Sequence, residues 1–543
     1  MSDAIERLDY RELSFYKPLF LDYLYRFERL APFFSGDIRQ PSAWRRVADD
    51  VSAYPRQTKA LAEILREQNE RMGSDPAVSE TIDSIEKGAL AIVTGQQVGL
   101  LGGPLYSLYK ALSAVEFARV VGSQLGLPVV AIFWMDADDH DFEEIRSFSL
   151  LDTAQELTTL RYQPAQQEEA LPVASLRLDG SIDGLITRTA DCLPPSEFKQ
   201  AVLDAVKESY QPGKTLAEAF GAWLLRMTQG TGLAVIDPTA RSVKSLARSI
   251  FQREISEGHE SSRLVEQSTT ELVAQGYHAQ AETADDRLNL LYANPTRSHI
   301  TLENSSFRLS PNQAPVTAKE LQHLVDEEPQ RFSGNVILRS IVQDHLLPTL
   351  AYVAGPNEIA YLSQLGGVYE RFGIPRPLIV PRASLTLVEK PAAKFLHRQD
   401  LKFGDLRADD ESALNDILKG LAPPELEEDL LRARTCINEI TQTLEKDLKA
   451  IDPTLASTAR STRGKLLHQL EELETKGRRA IKKKNDTLRR QFFAARTSLF
   501  PNFDMQERQV SPVQYLARYG WHFTDMVRES IDIEQPGHVL LYP

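Results

Sequence analysis

Ala89-Leu90-Ala91-Ile92-Val93-Thr94-Gly95-Gln96-Gln97-Val98-Gly99-Leu100-Leu101-Gly102-Gly103-Pro104 is the stretch whose reading decides the fold. Its first six residues form an apolar, β-branched run whose length suits a buried strand better than a helix. Glycines then open a turn. Pro104 starts a pattern in which Leu105, Leu108, Tyr109, Leu112, Val115 and Val120 recur at helical spacing, ending near Val121. After a short link, Val129-Val130-Ala131-Ile132-Phe133-Trp134-Met135 reads as a second buried strand, followed by Asp136, Asp138, Asp139, His140, Asp141, Glu143 and Glu144. The unit is strand, glycine turn, helix, strand, with polar side chains where both strands stop. Open α/β sheets bind their ligands at that edge.

Glycines let backbone amides approach a ligand closely, and the start of a helix adds free donors and a positive dipole end, so phosphate or carboxylate is the natural guest. Neither a Walker lysine pattern nor a strict GxGxxG spacing is present, and the turn alone does not name its ligand. A tight strand-to-helix connection with no ligand is the competing reading.

The rest of the chain sets bounds. Its 543 residues suggest two to four domains and a large core. The 76 acidic against 62 basic residues and a net charge of −14 argue against a general nucleic-acid binder. Cys192 and Cys436 lie far apart, which excludes a cysteine metal cluster and suits a reducing cytoplasm. The first residues lack a basic-then-apolar signal, and no apolar run is long enough to span a bilayer, so a soluble intracellular protein with no membrane partner is expected.

Residues 1–87 read as a helical segment packing on the core. Further buried strands are expected at Leu233–Pro238, Ala351–Ala354 and Leu378–Arg382. Strands alternating with helices imply a Rossmann-like, doubly wound parallel sheet, its first part at 88–255 and its second at 331–390. Between them, at 256–330, short runs separated by Asn, Pro and Ser predict an antiparallel insertion. Gly355-Pro356-Asn357-Glu358 repeats the arrangement of a strand followed by a turn with a carboxylate, and Arg382 ends a strand with forked donors suited to phosphate or carboxylate. Residues 391–422 read as a linker. Over 423–500, Leu426, Leu430, Ala433, Ile437, Ile440, Leu444, Leu448 and Ile451 step by three or four, Asp452-Pro453 breaks the pattern, and Leu466, Leu470 and Leu473 resume it. That predicts an antiparallel coiled-coil hairpin. The basic run from Arg478 to Arg490 reads as a solvated helix face, since Glu471, Glu472 and Glu474 adjoin it. The tail, 501–543, is expected to return to the core.

Thr94–Gly99, Gly103–Tyr106 with Lys110, Phe133-Trp134 and Asp138–Phe142 resemble the bacterial family of cysteine ligases that add cysteine in bacillithiol biosynthesis. So do Arg339–Asp344, Gly355–Tyr361, Val380–Ser384, Leu499–Asn502 and Gln506–Arg508, which extends the resemblance over nearly the whole chain. The resemblance implies a Rossmann-like core with connecting-peptide insertions, a coiled coil used for homodimerisation, and a reaction joining the carboxyl carbon of cysteine to the amine of glucosaminyl-malate. A carboxylate does not acylate an amine unaided. ATP with Mg²⁺ is therefore expected as activator, on chemistry and fold analogy rather than on residues.

Carried onto this sequence, the resemblance makes His140, Asp138 and Asp141 the catalytic candidates. His140 would stabilise a transferring phosphoryl group or act as a base, its pKa raised by the acids around it. Asp138 and Asp141 would bind an amine or coordinate Mg²⁺, with no dedicated protein metal site. Gly95, Gln96, Gln97, Gly99, Gly102 and Gly103 would hold an anion. Glu358 would take an amine and Arg382 the malate carboxylates, with Tyr106, Lys110, Trp134, Gly355 and Tyr361 lining the substrate or nucleotide site. Competing readings are a non-catalytic scaffold built on the coiled coil, and a nucleotidylyltransferase acting on another small substrate.

Overall fold

Five strands form the central sheet: β1 (Leu90–Gln97), β2 (Val129–Asp136), β3 (Ala234–Ile236), β4 (Thr349–Ala354) and β5 (Leu378–Pro381). Their order is β5-β4-β1-β2-β3, and every neighbouring pair is parallel. The chain runs outward from β1 to β3, then returns to the other side of β1 for β4 and β5. The order thus reverses between β1 and β4, and the crevice beyond their carboxyl ends is the switch point where such sheets bind ligands. All six residues of β4 are buried, which is why these strands read as continuous apolar runs.

The computed structural model describes residues 4–138, 142–165, 173–294, 296–303, 306–310, 313–421 and 424–543. Helix α1 (Leu105–Leu125) follows Pro104 and extends beyond the expected Val121, because Gly126 adopts a left-handed φ of 68° and its amide closes the helix onto the Gly122 carbonyl at 3.0 Å. Helix α2 (Pro356–Leu362) follows β4, with Glu358 accepting the Gly355 amide at 2.7 Å. The insertion is antiparallel as expected. Arg287–Ala293, Arg297–Glu303 and Ser306–Arg308 pair in turn, and Phe332–Gly334 adds to the free edge of the first.

The amino-terminal segment is not wholly helical. Ala4–Leu8 is a strand antiparallel to His538–Tyr542, which in turn runs parallel to Ser384–Leu387. Five residues become a strand here only because a partner more than 500 positions away supplies the ladder, a pairing that local periodicity does not register.

By contact the chain divides into two compact units, Met1–Leu387 with Met505–Pro543, and Val388–Asp504. The second contains the hairpin of Pro424–Ile451 and Leu455–Lys484, bridged by Arg434–Glu474 at 3.3 Å and Arg460–Glu445 at 2.8 Å. The stretch read as a linker carries two helices, Lys390–Gln399 and Ser412–Gly420, and Phe395 of the first packs on Phe492 of the closing helix Asp486–Leu499. Among the described residues no helix is long and apolar enough to cross a membrane.

Candidate active site

The crevice is organised by Lys110 on α1. Its ammonium is 1% exposed and donates to the Gly95 carbonyl at 2.5 Å, to Glu358 Oε2 at 2.6 Å and toward Gln96 Oε1 at 3.3 Å. An ammonium this deep is tolerated only with such partners. Burial pushes the Lys110 pKa down and Glu358 partly offsets it. Burial works against the Glu358 carboxylate too, but Lys110, the Gly355 amide and the nearby Arg339 charge together hold its pKa below the ordinary value. The Glu358 carboxylate is therefore ionised at neutral pH.

Glu358 remains 23% exposed. Oε2 is filled by Lys110 and the Gly355 amide, whereas among the described residues Oε1 accepts only the Tyr352 hydroxyl, at 3.0 Å. A carboxylate oxygen accepts two hydrogen bonds, so Oε1 has one acceptor position left for a donor entering from the open side. Arg339, on the helix Val336–Leu346, is half-buried and donates to the Tyr361 hydroxyl at 2.9 Å.

The glycine turn does not form the expected anion cradle. The Gly99 amide donates to the Gln97 carbonyl at 2.9 Å, Gly102 to the Gly99 carbonyl at 3.2 Å and the Tyr210 hydroxyl at 3.3 Å, and Gly103 to the Leu100 carbonyl at 3.0 Å. The first amide of α1, Leu105, donates to the Val510 carbonyl at 2.9 Å, so the carboxyl-terminal tail covers the helix end. The glycines serve close packing instead. A Cβ at Gly99 would lie 2.8 Å from Gly103 Cα, and one at Gly95 would lie 2.8 Å from the Trp134 carbonyl. Trp134 itself is 2% exposed and belongs to the core, not to a ligand surface. Gln96 and Gln97 stay half-buried at the rim, Gln97 donating to Glu144 at 3.1 Å.

At the end of β2, Asp138 is not an open ligand. Lys244, 4% exposed on the helix Arg241–Leu246, pairs with it at 2.5 Å. His140 and Asp141, the other catalytic candidates, lie outside the described residues. Arg382 is likewise engaged. Its guanidinium donates to Glu507 at 2.6 Å and to the Ala383 carbonyl at 2.8 Å, and stands 5.6 Å above the half-buried Tyr106 ring. A guanidinium neutralised by a buried carboxylate is not available for malate. Among the described residues no group of three or more His, Cys, Asp or Glu is placed to hold a metal ion.

The structure thus gathers Gly95, Gln96, Lys110, Gly355, Glu358 and Tyr361 around the switch point. It adds Tyr352 and Arg339, to which the sequence reading assigned no role, and reveals Lys244 and Glu507 as partners of predicted residues. Arg339 and Glu507 fall in segments that carry the resemblance, the one signal that could have flagged them.

The chain matches two family models, described as "Bacillithiol biosynthesis BshC, N-terminal Rossmann-like domain" over residues 4–383 and "Bacillithiol biosynthesis BshC, C-terminal coiled-coil domain" over residues 385–543. Curated relatives bear the name "Putative cysteine ligase BshC". One from Salinibacter ruber is 35% identical, covering 98% of each chain. Those from Koribacter versatilis and Chloroherpeton thalassium are 32% and 31% identical, over 93% and 95% of this chain and 94% of each relative. With matches to both halves and to relatives over nearly the full length, the chain belongs to the BshC family of bacillithiol biosynthesis.

Proposed function

We propose that this protein is a cysteine ligase that joins L-cysteine to the glucosamine amine of glucosaminyl-malate through an amide bond, completing bacillithiol. The naming of its relatives supports the ligase class. The observation that carries the reading is the Lys110–Glu358 pair at the switch point. Glu358 is ionised, fixed by Lys110, Tyr352 and the Gly355 amide, and keeps one acceptor position toward solvent. The donor that suits such a position is a substrate ammonium.

Amide formation needs an activated carboxyl group, and ATP with Mg²⁺ supplies it in this reading. The Gly99–Gly103 turn does not fit its phosphates, because the turn's amides and the first amide of α1 are engaged within the protein. The free thiols Cys192 and Cys436 suit the reducing cytoplasm in which a thiol product would be made. On the coiled-coil hairpin, Ile440, Leu444, Ile451, Leu466 and Leu473 remain exposed, an apolar stripe that a second copy would cover in a homodimer.

Purified protein supplied with cysteine, glucosaminyl-malate, Mg²⁺ and ATP is expected to form bacillithiol and release AMP or ADP. Pyrophosphate exchange into ATP that depends on cysteine marks an acyl-adenylate, and His140→Ala is expected to slow turnover strongly. Absence of bacillithiol with all four components present overturns the proposal.

A further inference from the structure

We infer that Arg339 and Glu358 form a clamp for a substrate carrying both an ammonium and a carboxylate, with Glu358 taking the ammonium and Arg339 the carboxylate. The inference rests on the ligase reading for the identity of the substrates and adds the residue that holds their negative end.

Arg339 stands apart from the other cations of the sheet rim. Lys110, Lys244 and Arg382 each touch a carboxylate, at 2.6, 2.5 and 2.6 Å. Arg339 has none within 4.0 Å among the described residues, although Glu358 and Asp136 lie near enough for their charges to act on it. Its one good hydrogen bond goes to Tyr361, and the 3.5 Å approach to Gln343 Oε1 is too long to count as a second. A guanidinium has five N–H donors, and Nε of Arg339, which no hydrogen bond engages among the described residues, is not a buried unpartnered atom, so this donor faces the open side.

A half-buried fork with unused donors matches a carboxylate bidentately and is more strongly attractive than an exposed one. Tyr361 holds the fork from one edge, while Glu358, whose charge acts on Arg339 and whose Oε1 keeps an acceptor position among the described residues, sits at the same rim. A free amino acid fits this pair, and so does glucosaminyl-malate, whose amine and malyl carboxylates are close together. A clamp of this kind also excludes look-alikes that lack one of the two charges.

Calorimetric titration of the full chain with two ligand pairs tests the clamp: cysteine against cysteamine, and glucosaminyl-malate against glucosamine. In each pair the second member lacks the carboxylate. The wild type is expected to prefer the carboxylate-bearing member of the pair that the clamp holds by roughly 10-fold or more, the usual range for a charge-assisted hydrogen bond. Arg339→Gln should abolish that preference while leaving the dissociation constant of the carboxylate-free member unchanged. Arg339→Lys, which keeps the charge and loses the fork, should give an intermediate preference and serves if the Gln variant does not fold. Loss confined to the cysteine pair assigns the amino-acid carboxylate, and loss confined to the other pair assigns the malyl group. A preference that survives in both variants, or equal weakening of both members, overturns the clamp alone. A wild type that binds neither cysteine nor glucosaminyl-malate overturns the ligase reading and the clamp with it.

Discussion

Lys110–Glu358 and Arg382–Glu507 are ion pairs of the same 2.6 Å length in the same unit, and they differ in what is left over. The Glu507 carboxylate is 2% exposed and so sealed from any incoming donor. One oxygen accepts Arg382, the other the Leu385 amide, and the single Ser384 hydroxyl, 3.0 Å from both, is shared between them and held 2.8 Å from His538 Nδ1. The Glu358 carboxylate keeps an exposed edge and one unused acceptor position. An ion pair whose carboxylate is sealed on every side ties chain segments together, and the same pair with one edge exposed can receive a ligand. The distinction lies in the second layer of contacts, not in the pair.

Breaking the closed pair should give the largest effect. Glu507→Ala leaves a buried guanidinium without its counter-charge, and arginine cannot shed its proton, so a loss of about 3–5 kcal/mol in unfolding free energy is expected by urea titration. The folded fraction should retain near-normal turnover. Glu358→Gln should do the reverse. Lysine can lose its proton when buried, which limits the stability loss to about 1 kcal/mol, while kcat/KM falls roughly 100-fold, about 2.7 kcal/mol of transition-state stabilisation. Equal stability losses in the two variants, with activity preserved in Glu358→Gln, would erase the contrast drawn between them.

Much of the frame is legible in the sequence because it depends on local pattern. The runs at Ala89–Val93 and Val129–Met135 are apolar since β1 and β2 are covered on both faces, and the heptad-like steps after Pro424 give the hairpin directly. The site is legible only in part. Lys110 and Glu358 are drawn into it by motif position, yet their pairing spans 248 residues, and no spacing rule links them. The glycine turn misleads for a related reason. Its amides would face a ligand were it an isolated strand–turn–helix, but Val510, some four hundred residues on, takes the amide at the start of α1. Arg382 fails in the same way, since a strand-end arginine looks available until Glu507 of the tail is placed against it.

Glu254 sharpens the comparison from the opposite side, as a buried carboxylate with no cation paired to it among the described residues. It is 1% exposed on the helix Arg248–Glu257, accepts Ser261 Oγ at 2.9 Å on both oxygens, and accepts the Asn289 amide at 2.9 Å, tying that helix to the antiparallel insertion. Burial, with no neighbouring cation to offset it and Glu257 adding repulsion, pushes its pKa up to about 7 from an ordinary 4.5. Between those two values the folded state holds a proton that the unfolded state has released. Stability from this group is therefore complete below pH 4.5, falls as pH rises toward 7, and levels off above it. Glu358 and Glu507, whose pKa values are lowered, contribute with the opposite sign and weaken only on acidification. Between pH 5 and 8 the unfolding free energy of the wild type should drop by roughly 2 kcal/mol relative to Glu254→Gln, which has no charge to gain. This is the smallest of the three effects because hydrogen bonds from Ser261 and Asn289 already stabilise the anion in part. A wild-type-minus-variant difference that stays flat over that range would mean that hydrogen bonds alone hold a buried carboxylate as well as Lys110 or Arg382 does, and the counter-charge would lose its place in the argument.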